Sequence, residues 1–262
     1  MTTQSALGRS VGAGPLLKGW RERRRLSQLE LAITADVSAR HVSFVETGRS
    51  RPSEAMILRL AEHLDVPIRD RNALLVAAGY APAFPETPLQ SPAMAPLREV
   101  LDQLLGGYEP YPALVFDSAY DIVAANGAAA VLLDGVAARL LEPPMNAMRL
   151  ALHPQGIAPR IVNFGQVRRH LLDRIARHLS IWQSDQLREL NDEVRGYPGP
   201  AGSNGAADTG GETLFALPLR LRHGPRELAF ISVVATFNTP LDVTVSELAI
   251  ETFLPADPQT AA

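Results

Sequence analysis

The sequence predicts two domains of different class: an all-α domain of five short helices over residues 14–80, followed by an α+β domain over residues 97–255. Three observations predict this. Apolar residues recur at helical spacing in short blocks as far as Ala78, five prolines then crowd the stretch from Ala81 to Pro96, and beyond them strand-like runs alternate with helical ones. Proline fixes its own φ and removes a donor, so residues 81–96 read as an extended linker. Residues 1–13 read as a flexible N-terminus and 256–262 as a tail. A chain of 262 residues is long enough for two domains that each bury a core.

In the first domain the apolar blocks are Leu16, Leu17 and Trp20; Leu29, Leu31, Ala32 and Ala35; Val42 and Val45; Ile57, Leu60 and Leu64; and Leu74, Leu75 and Ala78. Ser27, Ser38 and Ser53 stand where N-caps are expected, each able to satisfy an orphan amide of the helix it begins. Gly79 suits a helix end ahead of Pro82. If Gln28 opens the second helix, the small Ala32 lets a neighbouring helix cross closely, and Val37, Val42 and Val45 pin the turn and the third helix from beneath. Winding residues 39–47 at helical pitch turns Val42 and Val45 inward and Arg40, Ser43, Phe44 and Thr47 outward, with Ala39 in the first turn.

Charge supports a use for that outer face. The whole chain carries a formal charge of −3, but its first 80 residues hold 12 basic and 8 acidic side chains while the remainder holds 13 and 20. A locally basic segment in an acidic protein points towards a polyanion. The bland reading is that "RERRR" at 21–25 is a solvated face and that two helices locked at an angle form a protein-docking module.

The stretch "LSQLELAITADVSARHVSFVETGRSRPS" resembles the helix-turn-helix of the phage-repressor-like regulators called the XRE family, over roughly residues 14–80. The first domain is therefore expected to be lambda-repressor-like. The resemblance implies double-stranded DNA as partner, with bases read by Arg40, Ala39, Ser43, Phe44 and Thr47, Ser43 also reaching a phosphate, and phosphates held by Gln28, Ser38, Arg49 and Arg51. An arginine fork can bond guanine O6 and N7 together, and Phe44 can touch a thymine methyl. His41 is expected at the rim. The departure is Asp36, where that family usually has a turn glycine; aspartate tolerates a left-handed backbone better than most residues.

Downstream, "ALVFDSAYDIVAAN" reads as two strands about a polar turn, and "TLFALPLRLRH" with "RELAFISVVATFN" as a hairpin turned at Gly224-Pro225. Helices are expected at 97–105, 128–133 and 166–179, and a glycine-rich loop at 197–213. The residues argue against several enzyme classes. There is no lysine after residue 80 for a serine–lysine protease, no G-x-S-x-G elbow, no phosphate-binding loop and no H-E-x-x-H. His170 and His178 stand eight apart with no carboxylate at ligand spacing, so they read as satisfied histidines, and no metal or cofactor is expected. The chain has no cysteine for disulfides or thiolate sites. Its longest apolar run, Leu228 to Ala235, is too short to span a bilayer, and its first residues lack the layout of a secretory signal, so a cytoplasmic location is expected.

Residues 113–135 are similar to the opening of PAS sensor domains, with Asn126 placed to cap a short helix. Together with "EPYPALVFD", "LHPQGIAPRIVNF" and "DVTVSELAIETFLPAD", the chain resembles the MmyB-like branch of XRE regulators. That implies a PAS-like domain binding a small, largely apolar effector, fatty acids included. Candidate lining residues are Phe116, Val123, Met145, Met148, Leu152, Arg160, Phe164, Leu171, Ile175 and Phe230, with Arg160, Arg168 or His153 as anchors for a carboxylate. The same residues serve equally as an ordinary packed core. The alternative function is a DNA-binding dimer whose second domain serves protein–protein interaction alone. In either case a homodimer on an inverted-repeat operator is expected, because two-fold symmetry sets recognition helices about 34 Å apart.

Overall fold

The computed structural model describes residues 12–181, 184–200 and 216–261. Residues 1–11 of the expected N-terminal segment, Ala262, and residues 201–213 of the expected glycine-rich loop lie outside them. The chain divides into two units, residues 1–87 with Pro240–Ser246, and residues 88–239 with 247–262.

The first unit holds five helices: α1 (Ala13–Arg23), α2 (Gln28–Thr34), α3 (Ala39–Glu46), α4 (Glu54–His63) and α5 (Ile68–Ala77). Each anticipated serine cap is made. Ser27 accepts from the Glu30 amide and Glu30 answers in a reciprocal capping box, Ser38 accepts from His41, and Ser53 accepts from Met56. In the α2–α3 turn Asp36 takes φ 52°, the left-handed backbone that a glycine would adopt without strain. Leu17, Trp20, Leu31, Val42, Val45 and Ile57 belong to one buried cluster that joins α1 to α4. Gly14 lets α1 run against the end of α3: a Cβ there would lie 2.4 Å from the Val45 carbonyl oxygen and 2.8 Å from that of Glu46. Pro240–Ser246, distant in sequence, completes this unit. The Val243 amide donates to the Pro85 carbonyl at 2.8 Å, and the Asp242 carboxylate accepts from the Thr87 amide at 3.2 Å.

The second unit is built on an antiparallel sheet of five strands in the order β2-β1-β5-β4-β3. After α6 (Ala95–Gly106), strands β1 (Ala113–Phe116) and β2 (Ile122–Ala125) form the opening hairpin. The Asp117 side chain accepts from the amides of Ala119 and Asp121, both at 2.9 Å, which closes the turn. Asn126 caps the helical turn that follows, accepting from Ala129, and also accepts from Ala113 while donating to the Tyr111 carbonyl. Next come α7 (Ala130–Leu133), α8 (Ala147–Leu152), α9 (Phe164–Ile181) and α10 (Asp185–Arg195), then the hairpin β3 (Leu219–His223) and β4 (Arg226–Thr236), turned at Gly224 with φ 57°.

Strand β5 (Ala249–Pro255) closes the sheet by pairing with β1 on one side and β4 on the other. Strand alternation then gives the sheet two dry faces. Ala113 and Val115 pack with Leu101 and Leu105 of α6, whereas Leu114 and Phe116 join a cluster with α8, α9 and α10. That is why all four residues of β1 are buried. Helices α8 and α10 and strand β5 were not anticipated from residue pattern alone. Among the described residues no helix is long and apolar enough to cross a membrane.

Candidate functional site

Helix α3 is held from below and free above. Val42 and Val45 are buried, while Arg40, Thr47 and Arg49 are exposed and Ala39, Ser43 and Phe44 are half-buried. The Phe44 ring collects both neighbouring guanidinium groups, with the Arg40 Cζ 5.1 Å and the Arg49 Cζ 6.0 Å from its centre. A ring so placed keeps two cations side by side on one surface. Thr47 turns its hydroxyl back onto its own helix, donating to the Ser43 carbonyl at 2.7 Å. Gly48, at φ 72°, then reverses the chain so that the Arg49 amide donates to the Phe44 carbonyl.

The expected phosphate contacts are placed differently from one another. Arg49 is open to solvent, whereas Arg51 donates to the Ala78 carbonyl at 3.0 Å and lies over the Tyr80 ring. Gln28 is oriented by Glu46, donating from Nε2 to Oε2 at 2.8 Å, with one amide hydrogen remaining. Ser38 uses its oxygen as the cap of α3 and keeps its hydroxyl hydrogen.

Glu46 is the residue that sequence reasoning missed. It sits on the inner side of α3 and receives both arms of Arg21, Nε at 2.7 Å and Nη2 at 2.9 Å. Burial pushes its carboxyl up, but the hydrogen bonds from Arg21 and Gln28, with the charges of Arg21 and Lys18, outweigh it and hold the group below its usual range. Reading "RERRR" as a solvated face therefore fails at its first arginine: Arg21 is buried because it ties α1 to α3. Arg24 is engaged too, donating to the carbonyls of Leu64 and Asp65 at the end of α4. The signal available was an arginine and a glutamate on helix faces otherwise apolar.

The second unit holds a partly open cavity of about 150 Å³ between the sheet and helices α7 to α9. Of the sequence candidates, Met145, Met148 and Leu171 line it, beside Leu114, Tyr120 and Phe253. Phe116, Leu152, Phe164, Ile175 and Phe230 lie instead in the packed cluster around it, and Val123 packs on the other face of the sheet against the α6 side. Arg160 is drawn into backbone: it donates to the carbonyls of Val131, Asp134 and Arg222. Arg168 donates to the Arg195 carbonyl, and His153 meets Arg139 and the Tyr197 ring. The charged groups in the cavity wall are others, Arg174 and Glu251, and His170 also lines it. Nearby, Tyr120 is pushed up to about 12 by burial, and His178 is pushed down by burial and by Arg174 and Arg177. The Tyr120 hydroxyl and His178 Nδ1 share a hydrogen bond of 2.9 Å.

A capped helix with basic side chains on its free face, followed by an α+β domain with a largely apolar cavity, defines a helix-turn-helix regulator with a ligand-binding domain. Residues 13–74 match the model of a helix-turn-helix domain, and residues 97–262 match that of the MmyB-like transcription regulator ligand binding domain. The chain belongs to this family of MmyB-like transcription regulators. It is also similar to the Bacillus subtilis (strain 168) protein described as "Uncharacterized HTH-type transcriptional regulator RghRB", 38% identical over 74 residues, which are 28% of this chain and 51% of that protein. The chain thus spans about half the length of the curated relative it matches.

Proposed function

We propose that this protein is a sequence-specific DNA-binding transcriptional regulator of the one-component kind: residues 14–80 read DNA, and the second domain binds a small, largely apolar effector of the fatty-acyl class. The observation that carries the first half is the free face of α3. Arg40 stands in its first turn, where a recognition helix presents side chains to base edges, and the Phe44 ring holds Arg40 and Arg49 together. Gln28, Ser38, Arg49 and Arg51 flank that face as phosphate contacts. The cavity supports the second half, being comparable in volume to an apolar hole that takes up benzene, with Met145 and Met148 as adaptable walls. Binding is as a homodimer on an inverted repeat, and the effector acts through its differential affinity for the two states of that dimer.

Selection from a randomised duplex pool at near-physiological ionic strength tests the reading. Enrichment of a motif with two related half-sites is expected. A pool that emerges unselected removes the regulatory function, whatever the second domain binds.

A further inference from the structure

The polar end of the cavity already holds an ion pair, with a second cation, Arg177, acting on Tyr120 from outside the wall. Arg174 Nη1 donates to Glu251 Oε2 at 3.0 Å, and each of these side chains is only 12% exposed. The guanidinium is fixed further by two rings, lying 5.1 Å from the centre of Phe116 and 5.4 Å from that of Tyr120. The remaining wall is mostly aliphatic, and its other titratable groups are His170 and Tyr120.

A carboxylate entering this space would meet a cation that already has a carboxylate on it. Two anions on one guanidinium leave an unmatched negative charge among apolar side chains, which is among the costliest arrangements in a protein interior. An uncharged oxygen meets no such penalty. Arginine has five N–H donors, so Arg174 can serve Glu251 and a guest together, and Glu251 can accept from a guest hydroxyl.

We propose that the cavity selects uncharged amphiphiles, an apolar body carrying one hydroxyl or carbonyl oxygen directed at Arg174 and Glu251, and rejects the free carboxylic acids of the same chain. Glu251 is the specificity-determining residue. The inference rests on the reading of the cavity as an effector site and narrows its ligand class.

The test uses the intact protein with octanoate, 1-octanol and methyl octanoate at neutral pH, read by melting temperature and by calorimetric affinity. The alcohol and the ester raise the melting temperature with concentration, and octanoate binds at least about tenfold more weakly. In Glu251→Gln the guanidinium loses its anion and the order inverts, octanoate becoming the tightest. Octanoate binding the native protein as well as the alcohol overturns the proposal and leaves the cavity an effector site, as does an unchanged order in Glu251→Gln. If none of the three binds either protein, the effector reading and the proposal fall together. Should Glu251→Gln not fold, the native ranking of octanoate against 1-octanol still decides, since a site with an open guanidinium ranks the anion first.

Discussion

Arg40 and Arg49 touch the same ring yet are expected to do different work. A side chain in the first turn of α3 reaches base edges, while one in the loop after it reaches the backbone. Arg40→Ala should therefore lose about 1–3 kcal/mol of preference for the selected site with little change on random duplex. Arg49→Ala should weaken both equally and lower the slope of log affinity against log salt by about one. Equilibrium titrations over a range of salt separate the two, and equal losses for Arg40→Ala on both duplexes would remove it from base reading. Beneath them Glu46 has a different signature. Because its folded-state pKa is depressed, its stabilisation is fully present above the ordinary glutamate value of about 4.3, and is lost as pH falls through the lower folded value. Glu46→Ala leaves Arg21 buried without its anion, at a cost of about 3–5 kcal/mol near neutrality, a deficit that shrinks as native Glu46 protonates. Urea unfolding at neutral and at acid pH measures that convergence.

At the scale of elements, the position of α3 depends on a glycine in α1. The atoms that a Gly14 side chain would strike are backbone oxygens of Val45 and Glu46, which cannot rotate aside. Gly14→Ala should destabilise the first unit by about 1–3 kcal/mol and displace the end of α3. Gly19 in the same helix is the control. A Cβ there meets only the tip of Arg23 at 3.7 Å, so Gly19→Ala should stabilise by about 0.4–1 kcal/mol. Comparable unfolding midpoints for the two variants would refute the close approach of α1 to α3. Helices α2, α3 and α4 were legible because each carries its own start signal, a serine whose hydroxyl meets an amide three residues on, whereas α1 and α5 begin without a side-chain cap and were read from apolar spacing alone. Helix α10 was legible in principle, its buried Leu187, Leu190, Asn191 and Val194 recurring at helical spacing inside a polar segment. Strand β5 was not, because Thr252 and Phe253 are buried in succession, which breaks the alternation that would mark so short a stretch as a strand.

For the whole molecule, an inverted repeat requires two recognition helices related by a two-fold axis and set about one DNA turn apart. The stoichiometry on a selected duplex should be two protomers. Inserting about half a helical turn between half-sites should abolish tight binding, because the second reader then faces the wrong side of the duplex. Mass measurement of the complex and gel titration of the respaced duplex check this, and unaffected binding would indicate a monomeric reader.

The features readable from residues alone are local: five helices, three of them with serine caps, the outward face of α3, two hairpins with their turns, and the aspartate that accepts a left-handed backbone in place of glycine. Each depends on atoms within a few residues of one another. What only the tertiary structure decided joins segments far apart: Arg21 to Glu46, Pro85 and Thr87 to the Pro240–Ser246 segment, and Arg174 to Glu251 across 77 residues. Spacing along a chain has no term for such pairs. Their partners are chosen by the order in which β5 enters the sheet and by the packing of helices over it, so the two arginines expected to anchor a ligand, Arg160 and Arg168, hold backbone carbonyls instead.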